Sequence, residues 1–279
     1  MARIEERYVD VDDVGVFVRE VPGEGPPTVF AHGNPTHSGD WLPFLERIDG
    51  PAIAFDMPGW GSSEAPRRRG FDYTMAGQAR FFARCLAFLG VAEYALVAHD
   101  WGVVSLIGAQ ETPERLRRLV LINAVPLLPG YRWHWVARRL WRVPVVGELA
   151  NLTTTKTASR LISRQASGTP GPLPEEFIES AWKARGSGVW RPMLTLYRSA
   201  DPEDLAAAGG NLDALACPAL VVWGADDPYL PIRFGRAYAE RLADAELLEV
   251  RAAGHWPWVD QPAVIERTLE FLRRDGEGG

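Results

Sequence analysis

The sequence predicts an α/β fold: a mostly parallel central sheet flanked by helices and interrupted by one helical insertion. Two observations carry this reading. Short apolar runs recur along the chain, each bounded by Gly, Pro or Asp and each followed by a helical pattern. They are Pro27–His32, Ala52–Asp56, Tyr94–Ala98, Leu119–Asn123 and Ala219–Trp223. Continuous Val/Ile/Leu runs that alternate with helices indicate a parallel sheet buried on both faces. The alternation then stops between about residues 125 and 216, where no strand-like run appears and helical patterns are separated by Gly/Pro turns such as Gly168-Thr169-Pro170-Gly171-Pro172. That segment reads as a lid over the carboxyl edge of the sheet. The chain accordingly divides into a first core part at 1–124, a helical cap at 125–216 and a second core part at 217–279, of which only 275–279 reads as a frayed tail.

Bulk properties narrow the function. At 279 residues, 47% hydrophobic and 24% charged, the chain can bury a substantial core in one large α/β unit. A net charge of −6 and a pI near 5.5 give no basic footprint for neutralising phosphates, so no nucleic-acid partner is expected. The charged start, Arg3 to Arg7, lacks the apolar core of a secretory signal, and no later run approaches membrane-spanning length. A cytoplasmic protein without a membrane partner is the expectation. Cys85 and Cys217 sit in apolar contexts without metal-ligand spacing, as expected of buried free thiols. No metal site is expected.

In open α/β sheets, ligands bind outside the carboxyl ends of the strands. Four strand ends carry polar residues: His32-Gly33-Asn34-Pro35, Asp100-Trp101-Gly102, Gly224-Ala225-Asp226-Asp227-Pro228 and Gly254-His255-Trp256. With the stretches AHDWG, FDMPGWGSS (Phe55 to Ser63), WGADDPYLP (Trp223 to Pro231) and AGHWPWVDQP (Ala253 to Pro262), the chain resembles the α/β-hydrolase family over nearly its whole length. The motifs stand in that family's order of nucleophile, acid and histidine.

The resemblance places Asp100 at the nucleophile elbow, a tight strand-to-helix turn flanked by the small residues Ala98 and Gly102. Esterases of this fold carry serine there. A serine that displaced a leaving group from saturated carbon would become an ether, which a neighbouring base cannot hydrolyse. A carboxylate becomes an ester, which water can open at its carbonyl. Asp100 thus points to displacement at sp3 carbon and away from acyl transfer; its alternative role is an N-cap for the following helix. His255 would be the general base that activates water, and Asp227 would hold its tautomer and offset its charge. Asp226 competes for the last role, but the family's spacing selects Asp227. His99 falls on the other side of the strand by the period of two and reads as structural.

Trp101 and Asn34 offer neutral N–H donors beside the carboxylate, a pocket for a departing halide. The quartet Asp100, Trp101, Asn34 and His255 resembles haloalkane dehalogenases. Asn123 departs from the branch that keeps a glutamate there, consistent with Asp227 as the acid. An Asn-Pro turn is the structural alternative for Asn34. Epoxide hydrolases are the rival resemblance, because they share the Asp elbow and use lid tyrosines to protonate the leaving alkoxide. Tyr197, in Leu196-Tyr197-Arg198, and Tyr131 are the lid candidates, although Tyr131 lies close to the start of the lid. Haloacid dehalogenases place arginine where this chain has Trp101, so the expected substrate is small and neutral, with water as co-substrate and no cofactor. Trp133, Val136, Ala137, Leu140 and Trp141 follow helical spacing and take the inward face of the lid, which leaves Arg132, Arg138, Arg139 and Arg142 mostly to solvent. Trp135 lies off that stripe, as an entrance residue or as surface packing. Trp41, Trp60, Trp256 and Trp258 read as walls and core. A receptor of low turnover on a hydrolase scaffold is a further class, against which the nucleophile, base and acid together argue. Oligomeric state stays open.

Overall fold

The computed structural model describes residues 2–66, 71–169, 171, 173–185 and 190–273. Pro170 and Pro172 of the expected turn, and the tail at 275–279, lie outside them. Eight strands form one sheet: β1 (Glu5–Asp10), β2 (Gly15–Val21), β3 (Thr28–Ala31), β4 (Ala52–Phe55), β5 (Tyr94–Asp100), β6 (Leu116–Ala124), β7 (Ala219–Gly224) and β8 (Ala245–Val250). Their spatial order is β1-β2-β4-β3-β5-β6-β7-β8. The β1–β2 and β2–β4 pairings are antiparallel, and β4, β3, β5, β6, β7 and β8 pair in parallel.

Burial follows the period of two. Val29, Leu96, Ala98, Leu119, Leu121 and Val221 enter one core, while Phe30, Val97, Val120, Ile122, Leu220 and Val222 enter a second on the opposite face. Each central strand is therefore apolar on both sides, which is why it reads as a continuous run. All five runs read from the sequence are strands. The three further strands lie toward the edges: β1 and β8 are partly exposed and charged (EERYVD, AELLEV), so they carry no apolar run to find.

Between β6 and β7 the described residues form no strand. Helices occupy Val146–Thr153, Lys156–Ala166, Glu175–Arg185, Trp190–Arg198 and Pro202–Ala208. Ala137–Trp141 is a π-helical turn rather than the regular helix its spacing suggests. Trp133, Val136 and Ala137 are buried as expected, and Arg132, Arg138 and Arg139 are exposed. Arg142 departs from the solvent placement: its guanidinium donates to the carbonyls of Tyr197 and Ala200 and pairs with Asp201, with 17% of its side chain exposed. The carbonyls at the end of the Trp190–Arg198 helix need donors, and Arg142 supplies them. Among the described residues, no helix is long and apolar enough to cross a membrane.

Candidate active site

Asp100 ends β5 with φ 48° and ψ −119°, a conformation that an L-residue adopts only when its surroundings enforce it. Gly102 makes the turn possible, since a Cβ there would lie 2.2 Å from the carbonyl oxygen of Ala31. Gly33 lets the neighbouring loop approach, because its Cβ would stand 2.5 Å from that of Asp100. The carboxylate makes no helix-capping hydrogen bond. Instead, Oδ2 accepts from the backbone N–H of Asn34 at 2.8 Å, and the N–H of Trp101 also favours the charged form. Burial nevertheless raises the carboxyl pKa, against the opposing pull of His255 and those two donors.

Oδ1 of Asp100 stands 3.7 Å from Nε2 of His255. The imidazole Nδ1 donates to Oδ2 of Asp227 at 2.8 Å, and all three side chains are buried. Burial pulls the imidazole pKa down; the charge and hydrogen bond of Asp227, joined by Asp100 and Asp40, outweigh it and leave the net shift upward. Asp227 Oδ1 accepts from the backbone N–H groups of Tyr229 and Leu230 at 2.7 and 3.0 Å. Asp226 is exposed. The structure therefore brings together Asp100, His255 and Asp227 and leaves Asp226 out.

Four supporting residues escaped the sequence reading of the site. Asn123, at the end of β6 with φ 37°, donates from Nδ2 to Asp227 Oδ2 at 2.6 Å and accepts the Gly224 N–H at 2.9 Å. It fixes Asp227 in place. Trp60 is not merely a wall: its indole N–H donates to Oδ1 of Asn34 at 2.9 Å. Because an indole can only donate, the amide must turn its oxygen to Trp60 and its Nδ2 the other way. His134 lines the cavity, its pKa pushed down to about 4 by burial first and by the charge of His255 second, so it is a neutral wall group. Asp40 is a buried carboxyl pushed up to about 7 by desolvation, with the neighbouring Thr36 and Trp256 side chains pulling the other way. Nothing in the local pattern flags His134 or Asp40. His99 is structural as expected, its Nε2 donating to the carbonyl of His255 at 2.8 Å.

Asn34 Nδ2 and Trp101 Nε1 are both buried and both lack an acceptor among the described residues. An unpaired buried donor costs about 1–3 kcal/mol, so two beside one carboxylate mark a place built for an incoming acceptor. Tyr197 faces the same place, its ring 5.1 Å from that of Trp101 and edge-on to it. Desolvation first and the charge of Asp100 second push its phenol far above the ordinary value, with the nearby Trp101 and Asn34 side chains pulling the other way, so it stays protonated. The Tyr131 hydroxyl is also buried without a partner. Asn34, Asp100, Tyr131 and Tyr197 border a cavity of about 220 Å³ that joins the sheet edge to the helical insertion, and Trp101 with Asn34 lines a smaller cavity next to it. Trp133, Val136, Trp141 and Met193 give the larger one apolar walls. Trp135 is not among the lining residues and is 58% exposed.

A strained strand-to-helix elbow that carries a buried carboxylate, a backbone N–H on one of its oxygens and a His–Asp pair beside it fit a hydrolase of the α/β type. The chain belongs to the alpha/beta hydrolase fold family, which it matches over residues 26–262. It is 29% identical over 231 residues to a haloalkane dehalogenase of Mycolicibacterium paratuberculosis, covering 77% of this chain and 72% of the relative. It is 27% identical to a 2-hydroxy-6-oxononadienedioate/2-hydroxy-6-oxononatrienedioate hydrolase of Burkholderia vietnamiensis, over 96% of both chains. Among solved structures, the haloalkane dehalogenase DbeA from Bradyrhizobium elkani superposes with a TM-score of 0.80 at 27% identity, covering 96% of each chain.

Proposed function

We propose that the protein is a haloalkane dehalogenase acting on small neutral alkyl halides, with the helical insertion as its lid. One observation carries the reading: the donor pair Asn34 Nδ2 and Trp101 Nε1, buried and unpaired beside Asp100, with the amide turned by Trp60. Oδ1 of Asp100 attacks the halogen-bearing carbon, the carbon–halogen bond breaks, and the halide departs with the bonding pair into the two N–H donors. The Asp100 alkyl ester keeps Oδ2 under the backbone N–H of Asn34, with that of Trp101 beside the same carboxyl. His255 then takes a proton from water, and hydroxide adds to the ester carbonyl carbon. The oxyanion gathers on Oδ2, where the Asn34 N–H is already aimed. Collapse expels the alcohol and restores the carboxylate, and the remaining proton leaves through His255 to solvent. Asp227, held by Asn123 and two backbone N–H groups, offsets the imidazolium in between.

The two phenols in the cavity favour a second reading, epoxide hydrolysis to a vicinal diol. There Tyr197 and Tyr131 would protonate the departing alkoxide, whereas a halide leaves without a proton. The test is turnover on alkyl bromides, epoxides and carboxylic esters in parallel. Bromide release from 1-bromobutane that survives Tyr197→Phe supports dehalogenation. Ring opening of styrene oxide with no bromide release from any alkyl bromide overturns it in favour of the second reading, and turnover of esters alone removes both.

A further inference from the structure

Among the described residues, seven of the ten exposed large hydrophobic side chains lie in one stretch of the helical insertion, from Trp135 to Leu161. Val145, Leu149 and Leu152 stand at intervals of four and three, so they share one face of the Val146–Thr153 helix and its lead-in. They are 67%, 57% and 67% exposed. The other side of this helix, with Ala150 and Asn151, lines the cavity, and so do Ser159 and Ser163 of the next helix, whose Leu161 is exposed. An ordinary surface helix buries its apolar stripe and shows its polar face; the Val146–Thr153 helix does the reverse, and the next helix adds Leu161 to the exposed apolar surface. Val145 also has φ 68°, a costly conformation for a β-branched residue, and it holds the isopropyl group out into solvent.

Charge is as uneven as polarity. Residues 130–166 contain seven basic side chains and one acidic one, in a chain whose net charge is −6. Lys156 and Arg160 pair with Glu175, Arg142 with Asp201, and the single acid, Glu148, with Arg198. Arg132, Arg138, Arg139 and Arg164 are exposed and make no ion pair among the described residues. A second copy meeting this stretch through a two-fold axis would bring two surfaces of the same positive charge together. An anionic surface with an apolar interior matches both features at once.

We propose that this face of the insertion docks on an anionic lipid surface, with Trp135, Leu149 and Leu152 entering the headgroup boundary and the free arginines meeting lipid phosphates. No membrane-spanning segment is needed for such binding, so the lack of a long apolar run does not bear on it. The helices that dock would be those whose inner sides wall the cavity, which gives an apolar substrate dissolved in lipid a short path to Asp100.

The experiment is co-sedimentation of the full chain with phosphatidylcholine vesicles, with and without about a third phosphatidylglycerol. Retention on the anionic vesicles, released by salt, is the expected result. Arg138→Gln with Arg139→Gln should lower the partition coefficient roughly twenty-five-fold, since each cation near the surface contributes about a factor of five. Leu149→Ser with Leu152→Ser should lower it by at least about tenfold. Both variants should turn over 1-bromobutane in lipid-free buffer as the unaltered protein does, which separates this surface from the proposed chemistry. Failure to sediment with either vesicle, or retention indifferent to both double substitutions, overturns the proposal. So does a dimer in sedimentation velocity that Leu149→Ser with Leu152→Ser dissolves, because the face would then belong to a second copy.

Discussion

Asn34→Asp is the sharpest perturbation of the proposed halide pocket, because it exchanges one donor for an acceptor and changes almost nothing else. The side chains are isosteric, and the Trp60 indole still has an oxygen to hold. The backbone N–H of residue 34, 2.8 Å from Asp100 Oδ2, is untouched, so the oxyanion donors survive. What changes is the atom facing the leaving group. The site loses a hydrogen bond to an anion, about 1.5–3 kcal/mol. It also gains a negative charge near the departing halide, about 4 kcal/mol for unit charges 4 Å apart at an effective dielectric constant of 20. Together these slow alkylation by at least about a thousandfold. Trp60→Phe, by contrast, only frees the amide to rotate and strands its oxygen, a cost of about 1–3 kcal/mol, or roughly five- to a hundred-fold. Single-turnover bromide release from 1-bromobutane measures both, with thermal unfolding as the control for folding. Lowering the pH should partly rescue the Asn34→Asp alkylation rate, since a protonated carboxyl can donate again. An Asn34→Asp variant that alkylates within tenfold of the unaltered protein would refute the donor assignment.

His255→Gln should leave alkylation intact and stop hydrolysis, so the intact protein gains the mass of the alkyl group; a variant that turns over normally removes the base assignment. Asp227→Asn should slow hydrolysis far more than Asp226→Asn, because only Asp227 reaches the imidazole; equal effects would return the choice of acid to open. The ester-hydrolysis rate should fall as pH drops, since the base works only when neutral and the charge and hydrogen bond of Asp227 favour its protonated form, and Asp227→Asn should move that acid limb to lower pH; a limb that does not move contradicts the coupling to Asp227. Gly102→Ala should lower the melting temperature or block folding, because its Cβ would meet the Ala31 carbonyl at 2.2 Å, a contact that needs the backbone to move; unchanged stability would mean that the elbow is looser than it looks.

Residue type and local spacing determined much of this protein before any coordinate was known. Five buried runs announced a parallel sheet because a strand covered on both faces has no polar side to interrupt it. That Asp100, His255 and Asp227 would stand together was expected because a tight elbow needs its small neighbours next to it in the chain, and because the resemblance to the family's motif order implies the other two. The structure alone decided how the side chains point. Trp60 turns the Asn34 amide across 26 residues, and Asn123 holds Asp227 across 104. Neither pairing leaves a local trace, since a hydrogen bond between distant segments depends on how the sheet brings their ends together. The inside-out helix around Leu149 belongs to the same category: only the packing of the insertion over the cavity determines that its apolar side meets solvent.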